Sequence, residues 1–346
     1  MEGKTHYERV VGGKEEERRA ASKELQNLFN EKREDFSKYE IKKTPEDLKI
    51  IEIVETAVDD MVLGYGGVIK DLPLDHIHIL KPGDVSDITK GRHLGGIHFP
   101  LSLNVGVEKD ESKLLFASTL AHELFHLKSY KSARVSKSGE GALLYRSGLS
   151  MIDKKDISKN PGEEKEYFGV IEEAIVTECA RKVLDKISGE EIFKNESEPF
   201  EKFKDLVRGY YLRIGMPEDN IRYFEENFKY TANPGKLIQD VLLNSSDIKK
   251  QQTYAAGMFE YLYKNEKVEV TERYNERRKM YKFFDKIIVS SNGEFKNRDE
   301  IFDMFAKANF SGNYIPLARK VEEMFGEGSF RKLAEEFSQM NKEDFN

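Results

Sequence analysis

TLAHELFHLKSY, residues 119–130, is an apolar, helix-like stretch with two histidines four positions apart and a glutamate directly after the first. Burying such polar groups is costly unless something binds them. Residues i and i+4 of a helix lie one above the other on the same face, so His122 and His126 can present two imidazoles to one point. The stretch therefore predicts a helix with a metal ion held between its histidines.

Glu123 lies one position around this helix from His122, close to the metal but turned away from direct ligation. A carboxylate placed there can take a proton from a water molecule that zinc has acidified to a pKa of about 7. His-Glu-x-x-His on a helix is the arrangement that zinc peptidases use. We therefore predict one Zn²⁺ per chain, with His122 and His126 as ligands and Glu123 as the general base.

A third protein ligand is needed, because catalytic zinc takes three and leaves a fourth position open. It is not a later histidine, because no histidine follows His126. The single cysteine, Cys179, lies downstream of the motif, whereas a cysteine ligand of the peptide-deformylase kind would lie upstream; we interpret it as a buried, unreactive thiol. A carboxylate remains, and the apolar helix-like stretch GVIEEAIVTECARK contains three candidates: Glu172, Glu173 and Glu178.

GVIEEAIVT, residues 169–177, resembles the second zinc helix of the gluzincins, the thermolysin-like clan of zinc metallopeptidases, where it reads like GAINEAISD. The resemblance covers about residues 74–187 and implies that Glu173 is the third zinc ligand. Glu172 then stands where the clan often has Asn. Thr177 stands where an acidic residue would orient the first histidine, so either the Thr177 hydroxyl or Glu178 is left for that role.

Helix geometry also bears on which of the adjacent glutamates is the ligand. Neighbouring residues on a helix point about 100° apart, so Glu172 and Glu173 cannot both face one metal. Glu173 shares its face with small residues, which would let the two zinc helices approach closely: Gly169, Val170, Thr177 and Ala180. These neighbours favour Glu173 as the ligand.

The rest of the sequence predicts an α+β fold, with a small, mostly antiparallel sheet, two zinc-binding helices and a helical C-terminal lobe. Thr44, Pro45 and Asp47 mark the start of a helix that the glycines from Gly64 end. Two stretches are typical of strands, DHIHIL (75–80) and GGIHFPLSLNV (95–105), and a third, EGALLYRSGLSMID (140–153), is typical of a strand or a hairpin arm. The stretch NPGEEKEYFGVIEEAIVTECARKVLDKI (160–187) predicts one long helix that starts after Asn160.

We divide the chain into a charged N-terminal helical arm (1–43), a zinc metallopeptidase core (44–190) and a helical C-terminal subdomain (191–346). In the core, the resemblance suggests that GGIHFPLSLNV is an edge strand that pairs with an extended peptide. His98 on this strand is interpreted as an ordinary strand histidine, with a place in the cleft as the alternative. The oxyanion donor has several candidates: Tyr254, Tyr274, Tyr281, Tyr314 and Arg146.

Charge and composition narrow the possible partners. The net charge is −7, and Lys and Glu are mixed along the chain, so no basic face for nucleic acid is expected. No segment has 18 consecutive apolar residues, and the first residues lack the apolar core of a signal peptide. With a single cysteine, these features favour a cytoplasmic protein that contacts neither nucleic acid nor a membrane. Export by a route that reads no N-terminal signal is the alternative.

The expected function is that of a zinc-dependent metallopeptidase acting on peptide or protein substrates. The alternative is a non-catalytic or self-inhibited zinc-fold protein that acts as a binding module. The presence of Glu123 argues against a non-catalytic role, because structural zinc needs no base. Self-inhibition, with the arm or the C-terminal tail in the cleft, stays open.

Overall fold

The computed structural model describes residues 7–30, 36, 38–89, 95–110, 112–136, 142–154, 164–216, 247–264 and 274–343. The fold is α+β, as the sequence predicts, and its described part contains two sheets and eleven α-helices. The helices are α1 (Glu15–Asn30), α2 (Pro45–Gly64), α3 (Asp84–Ile88), α4 (Lys113–Lys128), α5 (Gly169–Ile187), α6 (Lys194–Arg213), α7 (Ile248–Lys264), α8 (Tyr274–Ser290), α9 (Arg298–Ser311), α10 (Ile315–Phe325) and α11 (Ser329–Glu343).

Eight strands form the two sheets: β1 (Arg9–Val11), β2 (Ile77–Leu80), β3 (Gly96–Phe99), β4 (Asn104–Glu108), β5 (Lys131–Val135), β6 (Ala142–Ser147), β7 (Ser150–Lys154) and β8 (Glu164–Tyr167). The three-stranded sheet has the order β2-β4-β3, and the five-stranded sheet has the order β1-β5-β6-β7-β8. Most neighbouring strands are antiparallel, but β2 with β4 and β1 with β5 are parallel pairs.

The start of α2 is confirmed as predicted. The Thr44 side chain accepts a hydrogen bond from the Asp47 main-chain N–H, while the Asp47 carboxylate accepts one from the Thr44 N–H. This reciprocal pair satisfies two main-chain donors that a helix N-terminus otherwise leaves open. Ile51, Val54 and Val58 on this helix are buried, whereas Leu48 is 38% exposed.

The helix α4 begins with a serine cap. Ser112 is the N-cap, and its hydroxyl accepts a hydrogen bond from the main-chain N–H of Leu115. The acid at this helix end is Glu196 of α6, whose carboxylate accepts hydrogen bonds from the Ser112 hydroxyl and the Lys113 main-chain N–H. The Asp110 carboxylate also accepts a hydrogen bond from the Ser112 main-chain N–H.

Two sequence stretches divide differently from the prediction. GGIHFPLSLNV is not one strand, because a turn between Phe99 and Asn104 separates β3 from β4, which then pair antiparallel. The predicted single helix of residues 160–187 is also wrong: residues 164–167 pair with β7 as β8, and α5 begins only after Phe168, whose φ is +62°. The predicted cap Asn160 lies outside the described residues.

The N-terminal segment packs on the five-stranded sheet. β1 pairs with β5, and α1 buries Ala21 and Leu25 on the side that meets the sheet. Glu8, just before β1, forms an ion pair with Lys70 (3.0 Å) and accepts a hydrogen bond from the Lys131 main-chain N–H (2.8 Å). The described part of the predicted arm is therefore fixed to the molecule by apolar contacts and by an ion pair.

One apolar core joins α2, α4 and α5 with the C-terminal helices α8 to α11. The helical character predicted for the C-terminal part is confirmed for its described residues, and the core runs through both sides of the predicted boundary at residue 190. None of the described helices combines the length and the apolar character that crossing a bilayer requires. This core holds α4 and α5 against each other, and the candidate site lies between them.

Candidate metal centre

The first two predicted ligands are adjacent on α4. His122 and His126 are one turn apart, and their Nε2 atoms are 3.1 Å from each other. Their rings are edge to face, with centroids 4.7 Å apart. Both imidazoles therefore direct a nitrogen at one point, as the four-residue spacing predicts.

The third predicted ligand comes from α5. The Glu173 Oε2 atom lies 3.5 Å from the Nε2 atoms of both His122 and His126. In the described part of the chain, these three residues are the one group of His, Cys, Asp or Glu whose donor atoms come close enough together to hold a metal ion. The structure thus brings together the three side chains that the sequence assigns to zinc.

The donor set and its spacing fit zinc. Two imidazole nitrogens and one carboxylate oxygen are the ligands of many catalytic zinc sites. Atoms about 2.1 Å from a tetrahedral ion lie roughly 3.4 Å from each other. The three separations found here, 3.1, 3.5 and 3.5 Å, are close to that value on every edge of the triangle.

Glu172 binds the ring nitrogen of His126 that is not part of this triangle. Its Oε1 atom lies 3.0 Å from Nδ1 of His126, so the Nδ1–H of the ring donates to the carboxylate and Nε2 faces the site. The Glu172 side chain is 6% exposed and the Glu173 side chain 25%. Burial alone would lower the pKa of His126, but the charges of the two glutamates outweigh burial and raise this pKa well above its usual value.

The structure gives other partners to Thr177 and Glu178, the two residues that the resemblance offers for orienting the first histidine. The hydroxyl of Thr177 donates to the main-chain oxygen of Glu173, one turn back on the same helix. Glu178 forms ion pairs with Arg181 (2.6 Å) and with Arg277 of α8 (2.8 Å). The orienting carboxylate is Glu172, and the histidine that it orients is the second of the motif, not the first.

Glu123 is not one of the three donors, and its carboxylate contacts the strand β3. Its Oε2 atom lies 2.8 Å from Nδ1 of His98, whose ring stacks on that of His126 with centroids 4.5 Å apart and 19° between the planes. Burial would raise the pKa of Glu123, but the hydrogen bond from His98 and the nearby imidazoles outweigh burial and lower it. The alternative interpretation of His98, a place in the cleft, is therefore the one that the geometry supports.

Two buried lysines bind the C-terminal end of α4, where main-chain oxygens lack partners within the helix. Lys131 donates to the main-chain oxygen of His126 (2.6 Å) and to the Ser147 hydroxyl (2.9 Å), and Lys70 donates to the main-chain oxygen of Ser129 (2.6 Å). Burial and the neighbouring Lys70 lower the pKa of Lys131 to about 7. Sequence reasoning missed both residues, because lysines are almost always solvated.

The oxyanion candidates are mostly engaged elsewhere. Arg146 donates to three main-chain oxygens, those of Gly148, Ala308 and Gly312. Tyr281 shares a hydrogen bond with Glu178, and the ring of Tyr314 lies over the Arg146 guanidinium. Tyr254 is exposed on α7, and the side chain of Tyr274 lies outside the described residues. These contacts favour a role for Arg146 in joining β6 to α9.

Comparison with models of protein families, with curated proteins and with solved structures gives no match to this chain. The function is therefore inferred from the geometry of the site and from the resemblance of its two short motifs.

Proposed function

We propose that this protein is a zinc-dependent metallopeptidase of gluzincin type that hydrolyses peptide bonds. The observation that carries the proposal is the triangle of donor atoms from His122, His126 and Glu173, with its zinc-like separations. Beside it lies a carboxylate, Glu123, that is not one of the three donors. Bound zinc would polarise the scissile carbonyl and acidify a water molecule.

The residues of the chain divide the remaining tasks between them. Glu123, with one carboxylate oxygen held by His98, takes the proton of the attacking water and returns it to the leaving amine. Glu172 fixes the tautomer of His126, so that its Nε2 presents a lone pair to the ion. The edge strand β3 lies beside Glu123 and offers main-chain groups to an extended peptide.

The competing function is a zinc-holding protein that binds partners without catalysis. A closed structural site is usually completed by a fourth protein ligand and has no use for a base. Here the three donors stand next to a carboxylate that lies outside the triangle, which is the composition of a hydrolytic site. We further propose that the protein acts in a reducing compartment such as the cytoplasm, because its one cysteine is free and buried.

The test is a digest of a library of unstructured peptides by the zinc-loaded protein, read by mass spectrometry. The parent should cleave, and Glu123→Gln should not, while both hold about one zinc per chain, because the substitution removes the base and leaves every ligand. Glu190→Gln, at an exposed position, is the matched control and should cleave like the parent.

Two outcomes would contradict the proposal. Cleavage that persists in Glu123→Gln would show that Glu123 is not the general base. A parent that holds zinc and cleaves no peptide in the library points instead to the binding module.

A further inference from the structure

His98 lies in the site although no motif contains it. Its Nδ1 atom is 2.8 Å from the Glu123 carboxylate, its ring stacks on His126, and its side chain is 24% exposed. The contact joins the two sides of the site, since His98 belongs to β3 and Glu123 to α4. A chance surface histidine would not make two such contacts with residues of one motif.

Gly96 explains how the strand comes so close to the helix. Side chains two residues apart point to the same face of a strand, so Gly96 and His98 both face α4. A Cβ atom on Gly96 would lie 2.8 Å from Cγ of Glu123 and 2.9 Å from Cγ2 of Thr119. Such a separation is too short for two carbon atoms, so only glycine permits this approach. The approach brings the imidazole of His98 within hydrogen-bonding distance of the carboxylate.

We propose that His98 is a positioning residue for the general base, holding the Glu123 carboxylate through an Nδ1–H hydrogen bond. This inference rests on the proposed function. Glutamate has three rotatable side-chain bonds, and a bond to one oxygen removes much of that freedom while leaving the second oxygen for a proton. Catalysis by a base requires it to be held within hydrogen-bonding distance of the proton that it abstracts.

The kinetic test compares two substitutions at one position. His98→Leu removes the N–H and keeps an apolar side chain against His126, whereas His98→Asn keeps an amide N–H at the place of Nδ1. We expect His98→Leu to lower kcat about 10- to 100-fold, the range that supporting hydrogen bonds show at metal sites, with KM and zinc content unchanged. His98→Asn should recover most of kcat.

Three results for these variants, two kinetic and one of metal content, would overturn the inference. An unchanged kcat in His98→Leu shows that the hydrogen bond has no part in the reaction. Equal losses in His98→Leu and His98→Asn show that the ring matters and the N–H does not. Loss of zinc from His98→Leu places the residue in metal binding or in folding.

A second measurement does not depend on activity. In the full-length protein with ¹⁵N-labelled histidine, the His98 ring should be in the Nδ1–H tautomer, its signals identified by their loss in His98→Asn. Glu123→Ala should shift these signals, and the control Glu190→Gln should not. An Nε2–H tautomer in the parent overturns the inference. A chain that cleaves no peptide but shows this hydrogen bond refutes the proposed function alone, and an active chain without it refutes only the role of His98.

Discussion

The two helices that form the site differ in how their sequences relate to their roles. In α4, the motif residues His122, Glu123 and His126 lie within five positions, and helix geometry alone brings the two imidazoles together. In α5, three glutamates lie within seven positions, and each faces a different partner. Glu173 contacts the imidazole Nε2 atoms, Glu172 accepts a hydrogen bond from Nδ1 of His126, and Glu178 forms ion pairs with arginines.

The difference shows which residues of a site can be predicted from the sequence of a single helix. Spacing within α4 specifies its two ligands without reference to any other element. The roles of the α5 glutamates depend on how that helix is rotated against α4 and against α8, which its own sequence does not state. Variants on the two helices can therefore test the comparison, and the five that follow run from the largest expected effect to the smallest.

The double variant His122→Ala, His126→Ala should bind no zinc, because it removes both ligands that α4 supplies. Metal analysis after growth in zinc measures the effect, and circular dichroism checks that the fold is retained. Zinc that stays at about one per chain would place the metal elsewhere.

Glu173→Ala should weaken zinc binding by more than about 100-fold, beyond the range that supporting hydrogen bonds contribute. The carboxylate is the single donor from α5, and its Oε2 lies 3.5 Å from each imidazole nitrogen. Competition with a chromophoric chelator at neutral pH gives the affinity. A smaller loss than that of Glu172→Ala would exchange the two glutamates.

The same difference between local and long-range contacts separates what the sequence predicts from what it does not. The α+β class, the motif helix and the strand character of β6 and β7 follow from periodicity and spacing, which are local. The strand β8 was missed because its pairing with β7 overrides a convincing helix-start pattern. The contact between His98 and Glu123 depends on a strand and a helix that are distant in sequence, and the glycine at position 96 was the only local signal for it.

Glu178→Gln should reduce the free energy of unfolding by about 3 kcal/mol without changing zinc affinity, because it removes the negative charge from a buried ion pair with Arg277. Burial would raise the pKa of Glu178, but Arg277 and Arg181 outweigh burial and lower it. Its stabilisation is therefore complete above the usual glutamate pKa of about 4.3 and is lost as pH falls through the lowered value. Urea unfolding at several pH values should show the difference from the parent constant near neutrality and shrinking in acid. A difference that grows in acid would contradict the ion pair.

Glu172→Gln should weaken zinc binding about tenfold, at the lower end of the range for such supporting groups. The amide oxygen of Gln can still accept the Nδ1–H of His126, so the tautomer is kept, but the negative charge that makes the imidazole a better ligand is gone. Chelator competition measures the change, and Glu178→Gln is the matched control on the same helix. If the control shows the same loss, the effect does not come from the His126 contact.

Thr177→Val should have the smallest effect, a loss of zinc affinity well below the tenfold at which supporting groups begin to matter. The two side chains have nearly the same shape, and Thr and Val have similar helix propensities. The Thr177 hydroxyl donates to the main-chain oxygen of Glu173, which already belongs to the helix, so its removal leaves the donor triangle intact.

The resemblance to the second gluzincin motif predicts the opposite, because it places an orienting group at this position. Zinc affinity and kcat measured on Thr177→Val therefore decide whether the Thr177 hydroxyl orients a zinc ligand. A loss as large as that of Glu172→Gln would restore Thr177 as the orienting residue, and would mean that α5 is rotated differently against α4 when zinc is bound.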